Sequence, residues 1–431
     1  MTEPKRYVRL NPRFGRDETL SLLKSEIVQQ QSSTDGCDDG KKYPLPVSWL
    51  TPTKDDDQFE FFAIPGDFSL NRSSSFQSGR VYGMDVTSGA AVLALLFDTY
   101  DCTKSAKPDD GKKSTRDEEK PQLRVLDLCC APGLKLCMLA DLAPLSSTII
   151  GVDISQNRIQ LCKNIIKKYH TNQETSGLKD HNDKQASSCQ STIRLYCTDG
   201  TKFGTNEPCG LAFDSNAEKQ EMQTQGKRKR QNKSARAREK RRLLELQRQE
   251  IVFAADSANG EQQNEKSDES VSQQSIETNN TCCIPLFDRV LVDAECSTDG
   301  AIKHIQKREA SSKAPLWNDS NMNELVDLQK RLIESGFRLL KSGGNLVYST
   351  CSLQEAQNET VVRWLLQKYD DAYIIPVSFN KQNDSKQIPS FVEEGSLAGT
   401  IRFNPLKASS GMTEEFLPGT GFFLSKIGKK S

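Results

Sequence analysis

The segment DAECSTDG, residues 293–300, places a thiol, Cys296, three residues after an aspartate at the end of an apolar run. A second segment, STCSLQEAQNE from residue 349, presents Cys351 in a polar turn just ahead of a helix-forming stretch. A thiolate is a strong nucleophile near neutral pH, and a helix N-terminus favours the thiolate over the thiol. Most cysteines beside apolar runs are inert core residues, and Cys129, Cys130 and Cys137 are read that way. Cys351 is read differently because it follows its apolar run and sits among polar residues. Only 3 histidines are present, and two of them (His170 and His181) fall in a polar stretch. A histidine triad or a histidine-rich metal site therefore has no support, and no metal is expected. Acid–base chemistry must rest on carboxylates and thiols.

The stretch DLCCAPGLK, residues 127–135, adds a sharp turn in which Pro132 and Gly133 bring backbone amides toward a ligand at a helix start. It has neither the Walker spacing nor GxGxxG. Asp153 stands about 20 residues further on, where a carboxylate at a strand end can accept both hydroxyls of a ribose. Asp199, after the next strand, is placed to flank an adenine. As a lone residue each aspartate reads as a helix cap. Acid, thiol or glycine turns after five successive strands are harder to treat as caps. A nucleoside cofactor without a pyrophosphate, S-adenosylmethionine (AdoMet), fits this rim better than a dinucleotide.

The elements that must position these groups follow from apolar periodicity. RVLDLCC (124–130), TIIGVDI (148–154), TIRLYCTD (192–199), FDRVLVDA (287–294) and NLVYST (345–350) read as buried strands. GLKLCMLADLA, SQNRIQLCKNIIKKY, a segment near 323–340 and QEAQNETVVRWLLQKY read as helices. Short strands are expected near 372–377, 400–404 and 420–427. Alternation of this kind predicts an α/β fold: a doubly wound, mostly parallel, Rossmann-like sheet covered on both faces. Its ligands bind beyond the strands' carboxyl ends. Residues 1–80 have a different texture, with strands in RYVRLNP and DQFEFFAIP and a helix in DETLSLLKSEIVQQ. They are predicted to form a small α+β module, followed by the sheet domain at 81–431.

At 35% the hydrophobic fraction is low for a wholly globular chain of 431 residues, so part of it must be solvated. Residues 103–120, 171–190 and 206–281 lack a core-forming pattern and are expected to be disordered insertions. The last holds the basic run GKRKRQNKSARAREKRRLLELQRQE (226–250), which reads equally as a nuclear-localisation or RNA-clinging segment and as a solvated helix. The run tilts the expected location to the nucleus or nucleolus, with the cytoplasm as the alternative. Lys plus Arg equals Asp plus Glu, 58 each, so net charge says nothing of partners. No apolar stretch approaches the roughly 20 residues of a membrane span. The 13 cysteines lack the spacing of a disulfide scaffold, and free thiols are expected.

DLCCAPGLK, GVDISQNRIQLCKN, FDRVLVDAECSTDG and GNLVYSTCSLQEAQNE, in this order, resemble the Fmu/Sun (Nop–Sun) family of RNA cytosine-5 methyltransferases. The likeness spans most of residues 80–431 outside the insertions. It implies an AdoMet-dependent enzyme acting on ribosomal or transfer RNA. Cys351 would attack carbon 6 of the cytosine, Cys296 would help release the product, and Asp293 would hold the base edge and protonate ring nitrogen 3. The resemblance further implies cofactor contacts from Cys130, Ala131, Pro132, Gly133, Leu134 and Lys135, and from Asp153, Arg158, Asp199 and Asp293. Burial is expected to keep a proton available on Asp293.

Two positions depart from the family pattern. Glu295 stands where the family has proline, so the turn before Cys296 loses a rigid residue, and a nearby carboxylate would disfavour a thiolate there. Leu134 stands where a second glycine is frequent. These departures keep open a catalytically weakened, RNA-binding assembly factor on the same fold. Methylation of a protein or small molecule ranks lower, since it needs no pair of cysteines.

Overall fold

The computed structural model describes residues 6–31, 43–47, 50, 60–97, 122–171, 191–204, 210–217, 241, 285–300, 319–377, 391–404 and 421–431. The segment 103–120 lies outside the described residues. So does 171–190 apart from Thr171, and 206–281 apart from 210–217 and Arg241.

The N-terminal residues build a four-stranded antiparallel sheet from β1 (Arg6–Leu10), β2 (Leu45–Pro46), β3 (Phe61–Ile64) and β4 (Val81–Gly83), in the order β2-β3-β1-β4. Helix α1 (Arg16–Gln31) buries Leu23 and Ile27 with Val8, Phe62 and Ile64. The short α2 (Ser74–Gln77) is capped by Ser73, whose hydroxyl accepts from the Phe76 N–H. The sheet runs on through Gly83, just past the expected boundary at residue 80, and leads into α3 (Val86–Leu96), capped by Asp85.

The large sheet is built on β5 (Arg124–Asp127), β6 (Thr148–Asp153), β7 (Thr192–Cys197), β9 (Phe287–Asp293) and β10 (Leu340–Thr350). These five are parallel, in the order β10-β9-β5-β6-β7. Their residues alternate between two buried layers. Val125, Ile149, Leu195, Leu291 and Val347 join one core with α3, α4 (Leu134–Leu142) and α5 (Gln156–Ile166). Leu126, Ile150, Tyr196, Val290 and Leu346 join the other with α6 (Asp319–Arg338) and α7 (Glu359–Lys368). Burial of both faces is why these strands read as continuous apolar runs rather than as alternations. The chain winds outward from β5 through β6 to β7, and outward from β9 to β10 on the other side. The switch point therefore lies between β5 and β9, where a ligand cleft is expected.

Antiparallel strands finish both edges. β14 (Phe422–Lys429) pairs with β10 on one side; its other side is shared by β11 (Ala372–Ile375) and β13 (Ile401–Phe403), with β12 (Val392–Glu394) beyond β13. At the opposite edge, β8 (Leu211–Asp214) pairs antiparallel with β7. That strand corrects the expectation that all of 206–281 is an insertion. Phe213 is buried in the first core, and Asp214 Oδ2 accepts from Arg194 Nε at 2.7 Å.

One buried ionic junction ties the N-terminal sheet to α4. Asp141, fully buried, accepts from Arg9 Nη1 at 2.7 Å, from the Tyr82 hydroxyl at 2.9 Å and from Arg13. His170 Nε2 lies 3.5 Å away. Burial alone would raise this carboxyl, yet His170, Arg13 and Arg9 together hold it down at about 2.

Candidate active site

Four of the parallel strands end at one rim and bring the chemistry-bearing residues to it. β5 ends in Asp127, β6 in Asp153, β9 in Asp293 and β10 just before Cys351. The turn after β5 contains a cis Ala131–Pro132 bond and Gly133 at φ 106°, ψ 4°, which caps α4. A Cβ at Gly133 would meet the Cys162 Cα at 3.3 Å, so the residue both supplies a backbone conformation foreign to L side chains and lets α4 start hard against α5.

A cavity of about 110 Å³ opens beside this turn. Cys130, Ala131, Pro132, Leu134 and Lys135 line it together with Asp127 and Asp293, and Gly83, Met84, Asp85 and Ser88 close it from the N-terminal side. Asp153, Arg158 and Asp199 are not part of this lining. Asp153 is buried; its Oδ1 accepts from the Ser155 N–H at 2.9 Å and its Oδ2 lies 3.5 Å from Arg158 Nη1. Arg158 also donates to the Ala131 carbonyl at 3.1 Å, linking the second strand's carboxylate to the turn after β5. Asp199 caps the turn Gly200–Lys202 by accepting from Thr201 N–H and hydroxyl, the bland role open to it from sequence. Ile154, directly after Asp153, is 69% exposed on this rim, an apolar surface that the sequence reading passed over.

Asp127 is fully buried on the cavity wall, and among the described residues neither carboxylate oxygen is met by a well-aligned hydrogen bond, although the Cys129 backbone N–H lies near. Burial, followed by the charge of Asp293, pushes it up to about 7. An orphaned carboxylate facing a cavity fits a cationic ligand group such as an ammonium. Asp293 differs from expectation. Its side chain is 26% exposed and bound by Lys135 Nζ at 2.7 Å and by the Ser349 hydroxyl at 2.7 Å. Asp293 is thus a partly exposed, ion-paired carboxylate, and the fully buried acid at this rim is Asp127. Lys135, expected on the cofactor, reaches across to Asp293.

The two thiols converge. Cys296 Sγ and Cys351 Sγ are 2.8 Å apart, and both cysteines are free. The Cys351 N–H donates to Cys296 Sγ at 3.3 Å, and the Thr298 N–H also faces that sulfur. Thr298 adopts φ 56°, rare for a β-branched residue. Hydrogen bonding from Cys351 is the chief cause that lowers Cys296, against burial; the same contact and burial raise Cys351. The backbone N–H groups thus favour negative charge on Cys296 over Cys351. This corrects the expectation that Cys351 carries the thiolate at a helix N-terminus: α7 begins only at Glu359, and the available N–H groups point at the other sulfur. Glu295 is exposed, and the charge that opposes the Cys296 thiolate is that of Asp293.

Around the thiols lies a polar web invisible to motif reading. Gln329 and Gln357, both fully buried, bond to the backbone beside Cys296, and Asp299 accepts from the Leu353 N–H at 3.1 Å. One signal was available. Gln329 falls in register with Leu325, Leu332 and Ile333 on the apolar face of α6, where a solvated glutamine does not belong.

With this geometry in place, the comparisons are specific. Residues 231–427 match a family model described as 16S rRNA methyltransferase RsmB/F. This part of the chain is similar to that family's methyltransferase domain. The match takes in both thiol turns and stops short of the turn at 130–135. A ribosomal RNA small subunit methyltransferase F from Shewanella piezotolerans is 36% identical over 146 residues, 34% of this chain and 27% of that protein. The protein of the same name from Escherichia coli is 40% identical over 87 residues, 20% of this chain and 17% of its own length. The chain thus spans about a quarter or less of these relatives. The crystal structure of PH0851 superposes with a TM-score of 0.53 at 19% identity, over 100% of this chain and 60% of that one, and this likeness shows the fold alone. The expected nuclear or nucleolar location is corrected: these relatives are bacterial, from cells without a nucleus. The basic run on which it rested lies outside the described residues, Arg241 excepted.

Proposed function

We propose that this chain transfers a methyl group from AdoMet to carbon 5 of a cytosine in RNA, through a covalent bond between Cys351 and carbon 6. The observation that carries this reading is the 2.8 Å approach of two thiols from adjacent strand ends, beside the cavity that Asp127 and Asp293 share. Ribosomal RNA is favoured over transfer RNA by the name of the relatives, and residues 1–80 would help hold it through phosphate contacts.

Asp127, the 130–135 turn, Asp153 and Arg158 would hold the cofactor, the orphaned Asp127 facing its ammonium. When bound, AdoMet supplies an electrophilic methyl group. Carbon 5 of cytosine is a poor nucleophile until a thiolate adds to carbon 6. As the Cys351 sulfur bonds to carbon 6, its proton passes to the Cys296 thiolate. Asp293, fixed by Lys135 and Ser349, accepts from the exocyclic amine and from ring nitrogen 3, which takes a proton from solvent as the adduct forms and returns it when the product is released. Once the carbon 5 proton has left to solvent, the carbon 6–sulfur bond breaks and Cys296 returns its proton to the departing Cys351 sulfur. The target base must leave its stack to enter, at a cost of roughly a few kcal/mol.

Both thiols and all the rim carboxylates are present, which weighs against a weakened assembly factor. Bisulfite sequencing of ribosomal and transfer RNA, with and without the protein, tests the reading. Cys351→Ala should abolish methyl transfer, and full activity in that variant would refute the assignment. Cys296→Ala should accumulate protein covalently joined to RNA.

A further inference from the structure

The turn Ala294-Glu295-Cys296-Ser297-Thr298 is gripped on both sides of its sulfur. Gln329 on α6 donates from Nε2 to the Glu295 carbonyl at 2.8 Å and to Gln357 Oε1 at 3.2 Å. That same Gln357 Oε1 accepts from the Ser297 N–H at 3.0 Å, while Gln357 Nε2 donates to the Ser297 hydroxyl at 2.8 Å. The Tyr348 hydroxyl, on β10, donates to the Gln357 carbonyl at 2.7 Å. Residues 295 and 297 are thus each held by a buried amide, and one of those amides follows Cys351 in the same segment.

Simple packing does not call for this. A buried amide is destabilising unless it is hydrogen-bonded, and Leu or Met would fill the same space. Gln329 even leaves its Oε1 without a partner among the described residues. The turn it holds is strained at Thr298, and strain of this kind persists only where the surroundings over-determine it. Glu295 itself imposes no backbone restraint, whereas a proline there would fix φ.

We propose that Gln329 and Gln357 are positioning residues that hold the Cys296 sulfur against Cys351 and beneath the Thr298 and Cys351 N–H groups. This rests on the two-thiol reading above and assigns its geometry to two side chains outside the thiol turns. Their loss frees the Cys296 turn and leaves the Cys351 backbone attached to β10, so Cys296 changes first. The lowered titration of Cys296 is consistent with donors held in place rather than met by chance.

The test needs no RNA. Iodoacetamide alkylation of the full chain between pH 6 and 10 is quantified at Cys296 by peptide mass. Gln329→Met should slow Cys296 alkylation at pH 7.5 at least threefold and move its pH midpoint upward. Gln357→Glu, which keeps shape and acceptor but loses the donor, should do so more weakly and guards against misfolding of the first variant. Adding Glu295→Pro to Gln329→Met should restore most of the wild-type profile, because the Glu295 N–H makes no backbone hydrogen bond among the described residues and the ring supplies the missing restraint. Wild-type profiles in both glutamine variants, or no recovery with proline, would overturn the proposal. Because the assay reads only the thiol, its failure is distinct from failure of the methyl-transfer reading, which the Cys351→Ala activity measurement decides.

Discussion

Cys296 and Cys351 face each other at 2.8 Å between sulfurs, and the Cys351 N–H points at Cys296 rather than the reverse. The asymmetry favours negative charge on Cys296. Cys296 gathers two backbone donors and the Cys351 S–H, and so titrates below an ordinary thiol, while Cys351 is raised as the donor of the shared proton. Thiolate on Cys296 is present above its lowered pKa and is lost as pH falls through it.

Removing the S–H donor should reverse this. In Cys351→Ala, Cys296 keeps its burial and the repulsion from Asp293 but loses the largest cause of its lowering. The pH midpoint of its alkylation should rise toward or above the usual thiol value of about 8.5. In Cys296→Ala the surviving Cys351 loses its acceptor, and its midpoint should fall. Alkylation of the two single variants, followed by peptide mass, checks both directions; movement of both midpoints the same way would contradict the shared proton.

Asp127 predicts a stability profile. Its folded pKa of about 7 lies above the unfolded value of about 4, owing first to burial and then to Asp293. The stability contributed by the protonated form is complete below about pH 4 and is lost as pH rises through about 7. Between these limits the slope approaches about 1.4 kcal/mol per pH unit. Asp127→Asn cannot ionise, so its urea unfolding should weaken less from pH 5 to pH 7.5 than that of the wild type. Parallel profiles for the two proteins would show that Asp127 is ionised throughout.

The ionic junction at Asp141 predicts a large structural effect. Both Arg9 and Asp141 side chains are fully buried, and Arg13 is nearly so. Replacing Asp141 by Ala leaves cations buried without their counter-charge, which costs about 3–5 kcal/mol. Urea midpoints at pH 7 measure it. Because the carboxyl is held down at about 2, its contribution is present above the unfolded value of about 4 and should disappear only as pH falls through about 2. The penalty of the variant should therefore persist at pH 4.

Much of this arrangement was legible in the amino-acid order, for a physical reason. Strands buried on both faces need apolar residues at every position, and RVLDL, TIIGVD and NLVYST announce themselves for that reason. Helix α5 showed through Ile159, Cys162 and Ile166 on one face. The edge strand Leu211–Asp214 did not, because a short strand of which only one side is paired leaves few apolar residues amid polar neighbours. Nor did the Lys135–Asp293 pair, whose members are 158 residues apart and meet only through the β5–β9 pairing. The direction of the thiol pair was also hidden: it depends on where two backbone N–H groups point, and side-chain identity does not encode that.

Gly133 joins fold and site most directly. Its φ of 106° lies in a region that L side chains rarely adopt, and an added Cβ would press on the Cys162 Cα at 3.3 Å and Cβ at 3.4 Å. Gly133→Ala must therefore either strain the turn or push α4 away from α5. Strain of this type costs about 1–3 kcal/mol. Either response moves the amides at the start of α4 and the adjoining Lys135, which holds Asp293 at 2.7 Å. AdoMet affinity measured by calorimetry should fall at least tenfold in Gly133→Ala. Arg158→Ala, which removes a side chain 47% exposed, should weaken it less. Unchanged affinity in the glycine variant would place the cofactor away from the 130–135 turn.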